Sequence, residues 1–135
     1  MKVHYLFIIS IILCLNSCKD DSTTSTAHDD SNSPVVANVM NSFTYTVNAN
    51  QYSCNSQNDL NFLSDSLAVT LSSSNYSSGQ AIIVVNDSSN ATIFSDTVKS
   101  NRTIAITNLK STKPRHCILA LTNLTAKLTF SVVGQ

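Results

Sequence analysis

Apolar and polar residues alternate with a period of two in the segments after Pro34, and this alternation favours a fold built from strands. It is clearest in residues 43–47, 67–71 and 128–132. Successive side chains of a strand point to opposite faces of a sheet, so each segment predicts a half-buried strand. The run AIIVV, residues 81–85, is apolar throughout and predicts a strand that is buried on both faces.

Further strands are predicted at residues 91–98, 103–109 and 117–122, and the alternation at 128–132 belongs to a strand predicted at 127–133. The segments that connect the predicted strands are rich in turn-forming residues: SSSNYSSG, NDSSN, KSN, KSTKPR and NLT. Short strands at this spacing are typical of a sandwich of two sheets. We therefore predict an all-β domain, an antiparallel β-sandwich of the jelly-roll or immunoglobulin-like type with about seven or eight strands.

The composition agrees with a β-domain and argues against a nucleic-acid partner. Roughly two-fifths of the chain is Ser, Thr or Asn, which suits strands with hydroxyl-bearing faces better than a helical bundle. Charged residues make up 12% of the chain and its formal net charge is +0. A nucleic-acid surface needs clustered Lys and Arg, whereas here the basic residues are spread over separate segments.

The first 17 residues have the layout of a signal peptide. Lys2 supplies a positive charge, and residues 3–15 are mostly apolar. This apolar segment is shorter than the roughly 20 residues that a membrane-spanning helix needs. Residues 18–34 are polar, with the run STTSTAHDDSNS, and predict a flexible tether. The predicted organisation is a signal peptide at 1–17, a tether at 18–34 and a β-domain at 35–135.

The sequence LNSC, residues 15–18, resembles the lipobox of bacterial lipoproteins. In that family the cysteine sulfur is acylated, the chain is cut just before it, and the new amino terminus is acylated too. The resemblance implies that Cys18 carries lipid and that the protein is held to a membrane by this anchor. Two or three acyl chains hold a protein firmly where one holds it marginally. The alternative is an ordinary secretory signal with an incidental cysteine.

Lys19, Asp20 and Asp21 follow Cys18 directly. They resemble the export signal of Bacteroidota-type surface lipoproteins, in which a lysine and two acidic residues lie beside the lipidated cysteine. The resemblance implies an outer-membrane protein exposed at the cell surface. The alternative is that these charges only keep the tether solvated.

Residues 67–133 are loosely similar to the jelly-roll domains appended to secreted bacterial proteins, the prepeptidase-type and CUB-like sandwiches. The shared pattern is a strand, a turn of Asp, Ser and Asn, a second strand and a closing pair of strands. This resemblance implies a sandwich fold, and a fold carries no function by itself.

Cys54 and Cys117 remain after the signal peptide and the lipidated cysteine are set aside. Outside the cytoplasm, paired cysteines form structural disulfides. We therefore predict a bond between Cys54 and Cys117, with two free thiols as the alternative.

Catalytic and metal-binding patterns are weak. His116 and Cys117 are adjacent, but adjacent side chains of a strand point to opposite faces and do not act together. No G-x-S-x-G sequence occurs. The NDSSN segment, residues 86–90, offers oxygen ligands of the kind that calcium takes, but hairpin turns use the same residues more often. We predict no catalytic residue, no metal and no cofactor.

Tyr52 and Tyr76 lie in predicted loops and are the candidate ligand contacts, since exposed tyrosine rings stack on sugars. The leading functional prediction is a surface-anchored lipoprotein whose non-catalytic β-sandwich acts as an interaction or accessory module of the cell envelope, with an envelope protein as its partner. One alternative is a glycan-binding protein of a surface uptake system, for which Tyr52 or Tyr76 would be exposed. Another is a small inhibitor or hydrolase.

Changing Lys19, Asp20 and Asp21 together to Ala is expected to keep the protein on the inner side of the outer membrane, because the residues that direct export would be absent. Protease added to intact cells should leave this variant uncut while it digests the wild type, and both should be cut in lysed cells. Equal digestion of the two proteins in intact cells would contradict the export-signal interpretation.

Overall fold

The computed structural model describes residues 30–135, and these form one antiparallel sheet of six strands. The strands are β1 (Val35–Val39), β2 (Ser42–Asp59), β3 (Ser66–Asp87), β4 (Thr92–Val98), β5 (Arg102–Lys110) and β6 (Pro114–Gly134). Their order is β1-β2-β6-β3-β4, and β5 pairs with the other end of β3. The prediction of an all-β antiparallel fold is confirmed. The predicted signal peptide, the lipidation site at Cys18 and the export signal lie outside the described residues.

Three strands are long enough to run through two halves of the sheet: β2 has 18 residues, β3 has 22 and β6 has 21. The first half-sheet contains residues 42–49, 66–74 and 126–134 of these strands, with β1 and β5 at its edges. The second half-sheet contains residues 52–59, 78–87 and 114–124, with β4 at one edge. Strand β6 lies between β2 and β3 in both half-sheets.

The half-sheets meet at a bend, where extra residues interrupt the pairing of the long strands. The register shifts around Tyr52 in β2 and around Ser78 in β3. Beside these shifts, Gln51 and Asn123 adopt φ angles of 51° and 46°, in the left-handed region that bulges use. A single extra residue moves the side chains that follow it to the opposite face of the sheet. In both β2 and β6 the core-facing positions are therefore odd-numbered before the bend and even-numbered after it.

The turns predicted at SSSNYSSG and NLT are wrong, because these segments lie inside β3 and β6 and form the bend. Asn75, Gly79 and Asn123 have positive φ there, so the residues that suggested a chain reversal instead supply the left-handed backbone of the bulges. The strands predicted at 67–71 and 81–85 are therefore parts of one long strand, β3. Those predicted at 117–122 and 127–133 are parts of β6. The chain does reverse at NDSSN and KSTKPR, as the sequence predicted. The turn predicted at KSN is wrong as a chain reversal, because β4 and β5 both run antiparallel to β3 and KSN connects them in the same direction.

The inner sides of the two half-sheets contribute to one hydrophobic core. Phe94 of the second half-sheet stacks on Phe130 of the first, with ring centroids 5.7 Å apart. The Tyr45 hydroxyl, in the first half-sheet, lies 3.7 Å from the Cys54 sulfur in the second. The prediction that AIIVV is buried on both faces is wrong, since Ile82 is 36% exposed on the outer face.

Part of the predicted tether contacts the sheet. Ser31 forms a parallel bridge with Asn48, and the Asn32 backbone N–H donates to the Asn48 carbonyl at 2.8 Å. The chain is thus fixed to the edge of β2 before β1 begins at Val35. Within residues 30–135, no helix has the length and apolar character needed to cross a membrane.

Replacing Gly79 by Ala is expected to destabilise the domain by roughly 2–4 kcal/mol, because its φ is +80° and an added Cβ would lie 2.2 Å from the Asn123 carbonyl oxygen. Urea unfolding followed by circular dichroism measures the change. Ser78→Ala, at an exposed neighbour, is the matched control and should shift stability by less than about 0.5 kcal/mol. Equal stability of the two variants would contradict the close approach of β3 to β6 at the bend.

Candidate functional site

The bend forms an open polar depression of about 340 Å³ on the surface. It is lined by Gln51, Ser78 and Asn123, one residue from each of the three long strands. Each lies at or beside the register shift of its strand, so the bulges that bend the sheet also bring these three side chains together. Sequence reasoning missed this site, because these polar residues resemble turn formers.

Hydrogen bonds between β2 and β6 fix the lining of the depression. The Gln51 backbone N–H donates to the Thr125 hydroxyl at 2.9 Å, and the Asn123 backbone N–H donates to the Ser53 hydroxyl at 2.8 Å. That hydroxyl in turn donates to the Asn123 side-chain oxygen at 3.2 Å. Among the described residues the Gln51 side-chain amide forms no hydrogen bond, so it is available to a polar ligand. The depression can therefore offer amide and hydroxyl groups to a hydroxyl-rich molecule.

Tyr52 and Tyr76, the candidate ligand contacts, lie within β2 and β3 at the bend and not in loops. Both are half-buried and pack against the hydrophobic core. The Tyr76 hydroxyl donates to the Gly79 carbonyl at 2.8 Å, which ties the ring to the bulge. Burial, together with the nearby Cys54 thiol, raises the pKa of the Tyr52 hydroxyl. These contacts give both tyrosines a structural role at the bend.

The predicted Cys54–Cys117 disulfide is not formed, and both cysteines are free thiols. They lie on the paired strands β2 and β6, but Cys54 is opposite Leu121 and Cys117 is opposite Asn58. This offset of four positions separates the cysteines by about 13 Å along the strands. A disulfide requires Cα atoms within about 7 Å of each other. The pair of cysteines and the predicted location outside the cytoplasm favour a disulfide. The register of β2 and β6 places the two residues too far apart to form one.

His116 does not form a catalytic pair with Cys117. Its Nδ1 lies 3.0 Å from the Asp59 carboxylate, whose side chain is 87% exposed. Cys117 points to the opposite face and is fully buried in the core. Burial raises the pKa of the Cys117 thiol to about 12, so the thiolate needed for nucleophilic attack is not available near neutral pH.

The Asp87 carboxylate organises the NDSSN turn. One of its oxygens accepts hydrogen bonds from the Ser89 hydroxyl at 2.7 Å, the Ser89 backbone N–H at 2.8 Å and the Ala91 backbone N–H at 2.9 Å. The other accepts from the Thr112 hydroxyl at 2.7 Å. The Ser89 bond, followed by the Thr112 bond, lowers the pKa of Asp87 to about 2. The carboxylate thus connects the β3–β4 turn with the β5–β6 connection, which supports the turn interpretation of this segment.

The acidic, histidine and cysteine side chains are otherwise scattered: residues 30–135 contain no group of three or more that could hold a metal ion.

No protein-family model, curated protein or solved structure matches the chain.

The Asp87 bonds predict a stability that depends on pH. The folded-state pKa of about 2 lies below that of an unfolded aspartate, roughly 3.9. The stabilising contribution of the carboxylate is therefore complete above about pH 4 and is lost as the pH falls toward 2. Asp87→Asn should lower the urea midpoint at pH 6, and its difference from wild type should shrink between pH 4 and pH 2.

Asp65→Asn, the same change at an exposed side chain, is the matched control for this series. A difference between Asp87→Asn and wild type that stays constant from pH 6 to pH 2 would contradict the assigned role of the carboxylate.

Proposed function

We propose that the chain is a lipoprotein of the bacterial outer membrane, exposed at the cell surface, whose β-domain is a non-catalytic interaction or accessory module of the cell envelope. The observation that carries this proposal is the sequence LNSCKDD, in which Cys18, Lys19, Asp20 and Asp21 stand between an apolar segment and a polar tether. A lipid at Cys18 places the β-domain close to the membrane, since the sheet begins at Val35. An envelope protein is the partner that this setting favours.

We also propose that the bent sheet is a two-layered β-sandwich, with one half-sheet forming each layer. The stacking of Phe94 on Phe130 and the contact between Tyr45 and Cys54 support this arrangement, because each joins the inner side of one half-sheet to that of the other. Such a domain is a rigid carrier for surface contacts, because its long strands run through both layers.

The non-catalytic part of the proposal rests on how the reactive side chains are distributed. His116 contacts an exposed carboxylate, and Cys117 is buried on the other face with its pKa raised. The Asp87 carboxylate accepts hydrogen bonds from the Ser89 and Thr112 hydroxyls and stabilises the turn. These groups have local structural partners and do not converge on one point.

A glycan-binding protein is the second candidate, and the polar depression at the bend is the observation that favours it. Gln51, Ser78 and Asn123 provide amide and hydroxyl groups suited to sugar hydroxyls. The half-buried positions of Tyr52 and Tyr76 weigh against the stacking contact that the sequence suggested.

Crosslinking in live cells, followed by purification of the full chain and mass spectrometry, tests the leading proposal. We expect a stoichiometric envelope protein to accompany the chain, and Cys18 to carry lipid. Recovery of the chain alone would contradict the module proposal and favour the glycan candidate. In that case Gln51→Ala should weaken binding to a polysaccharide panel, while Gln57→Ala, at an exposed glutamine of the same strand, should not.

A further inference from the structure

The edge strand β1 is open to solvent and carries no charge. All its residues are exposed, including Val35 at 69% and Val39 at 61%, and Met40 in the following turn is 61% exposed. No charged residue occurs between Asp30 and Asp59, so neither β1 nor the adjoining part of β2 contributes a charge to this edge. An exposed apolar edge of this kind is a template for pairing with another strand.

Two other edges of the sheet carry features that prevent such pairing. In β4, Asp96 points to the same face as the buried Ile83 and forms a 3.0 Å ion pair with Arg102. In β5, a register shift and the positive φ of Asn108 interrupt the strand, and the charged residues Arg102 and Lys110 stand at its ends. Inward charges and bulges are the means by which sheet edges avoid association. Strand β1 has neither.

We propose that β1 pairs antiparallel with β1 of a second copy of the chain, about a two-fold axis that passes beside Ala37. In this register Ala37 faces Ala37 of the second copy, and Val35 faces its Val39. The outer face of the pair then consists of Val35, Ala37 and Val39 from each copy. The first half-sheets of the two copies become one continuous sheet.

A second copy is the occupant that this edge fits best. The same uncharged patch serves both partners, as a two-fold interface requires, and β-branched pairs across antiparallel strands are favourable. Because the edge itself carries no charge, two copies meet there without repulsion between like charges.

A strand of five residues buries little area compared with the roughly 1,200 Å² of a small stable interface. The pairing therefore needs a high local concentration, which a shared membrane surface supplies, and in this respect alone the inference rests on the proposed function.

Cysteine crosslinking of the full chain tests the pairing. Paired Cα atoms in an antiparallel ladder lie roughly 4.5–5.5 Å apart, within the range that a disulfide spans. Under mild oxidation of intact cells, Ala37→Cys should form a covalent dimer at least about tenfold faster than Thr103→Cys, which is also exposed and lies on the opposite edge β5. The wild type gives the background from its own thiols. A mixture of Val35→Cys and Val39→Cys chains should crosslink more than either variant alone, which tests the register.

The same variants are also tested as purified full chains in detergent at raised concentration, with lipidation of Cys18 measured by mass. Dimers of a chain without lipid would support the pairing and contradict the proposed anchor. An anchored Ala37→Cys chain that crosslinks no faster than Thr103→Cys in either setting would overturn the pairing. Crosslinking of Ala37→Cys mainly to a different protein would also overturn it, and would assign the edge to that protein.

Discussion

The left-handed backbone at the bend is the constraint on which the rest of the sheet depends. Each extra residue reverses the phase of the alternation that follows it, so Gln51 and Asn123 decide which side chains of β2 and β6 reach the core beyond the bend. Strand β3 has two such residues, Asn75 and Gly79, and keeps the same phase on both sides. The three strands therefore remain paired on both sides of the bend only if their extra residues lie beside one another in the sheet. The polar depression is a direct product of this arrangement.

Much of the strand content could be predicted from the sequence, because alternation reports burial of one face. Residues 43–47, 67–71 and 128–132 all lie in strands whose odd or even positions are buried. Strand β1 escaped prediction because it is exposed on both faces and leaves no pattern. Residues 52–59 escaped because their core-facing positions include Ser56 and Asn58 at the margin of the core. The sequence predicts turns at the bend because Asn and Gly occur in turns and in bulges alike, and only the pairing of neighbouring strands distinguishes the two.

The candidate site was harder to predict, since its properties arise from register. The number of cysteines and the predicted location outside the cytoplasm favour a bond between Cys54 and Cys117. The distance between them depends on the register of β2 and β6, which the spacing of the cysteines in the sequence does not reveal. In the same way, the polar residues around Tyr52 and Tyr76 predict exposed rings in loops, whereas both rings pack against the core because of the bend. The residues that line the depression are ordinary polar types, and their proximity comes from three strands far apart in sequence.

The central position of β6 has a consequence for how the chain acquires its structure. This strand is the last in the sequence, yet it separates β2 from β3 throughout the sheet, and Ser42 near the start of the domain pairs with Val133 near its end. The pairs β1–β2, β3–β4 and β3–β5 can form without β6, but β2 and β3 do not pair with each other, so these two parts of the sheet are joined only when β6 is available. Non-local pairing of this kind makes folding slow. A chain that emerges from a channel amino terminus first would thus hold two separate groups of strands until β6 has passed, which delays closure of the sheet to the far side.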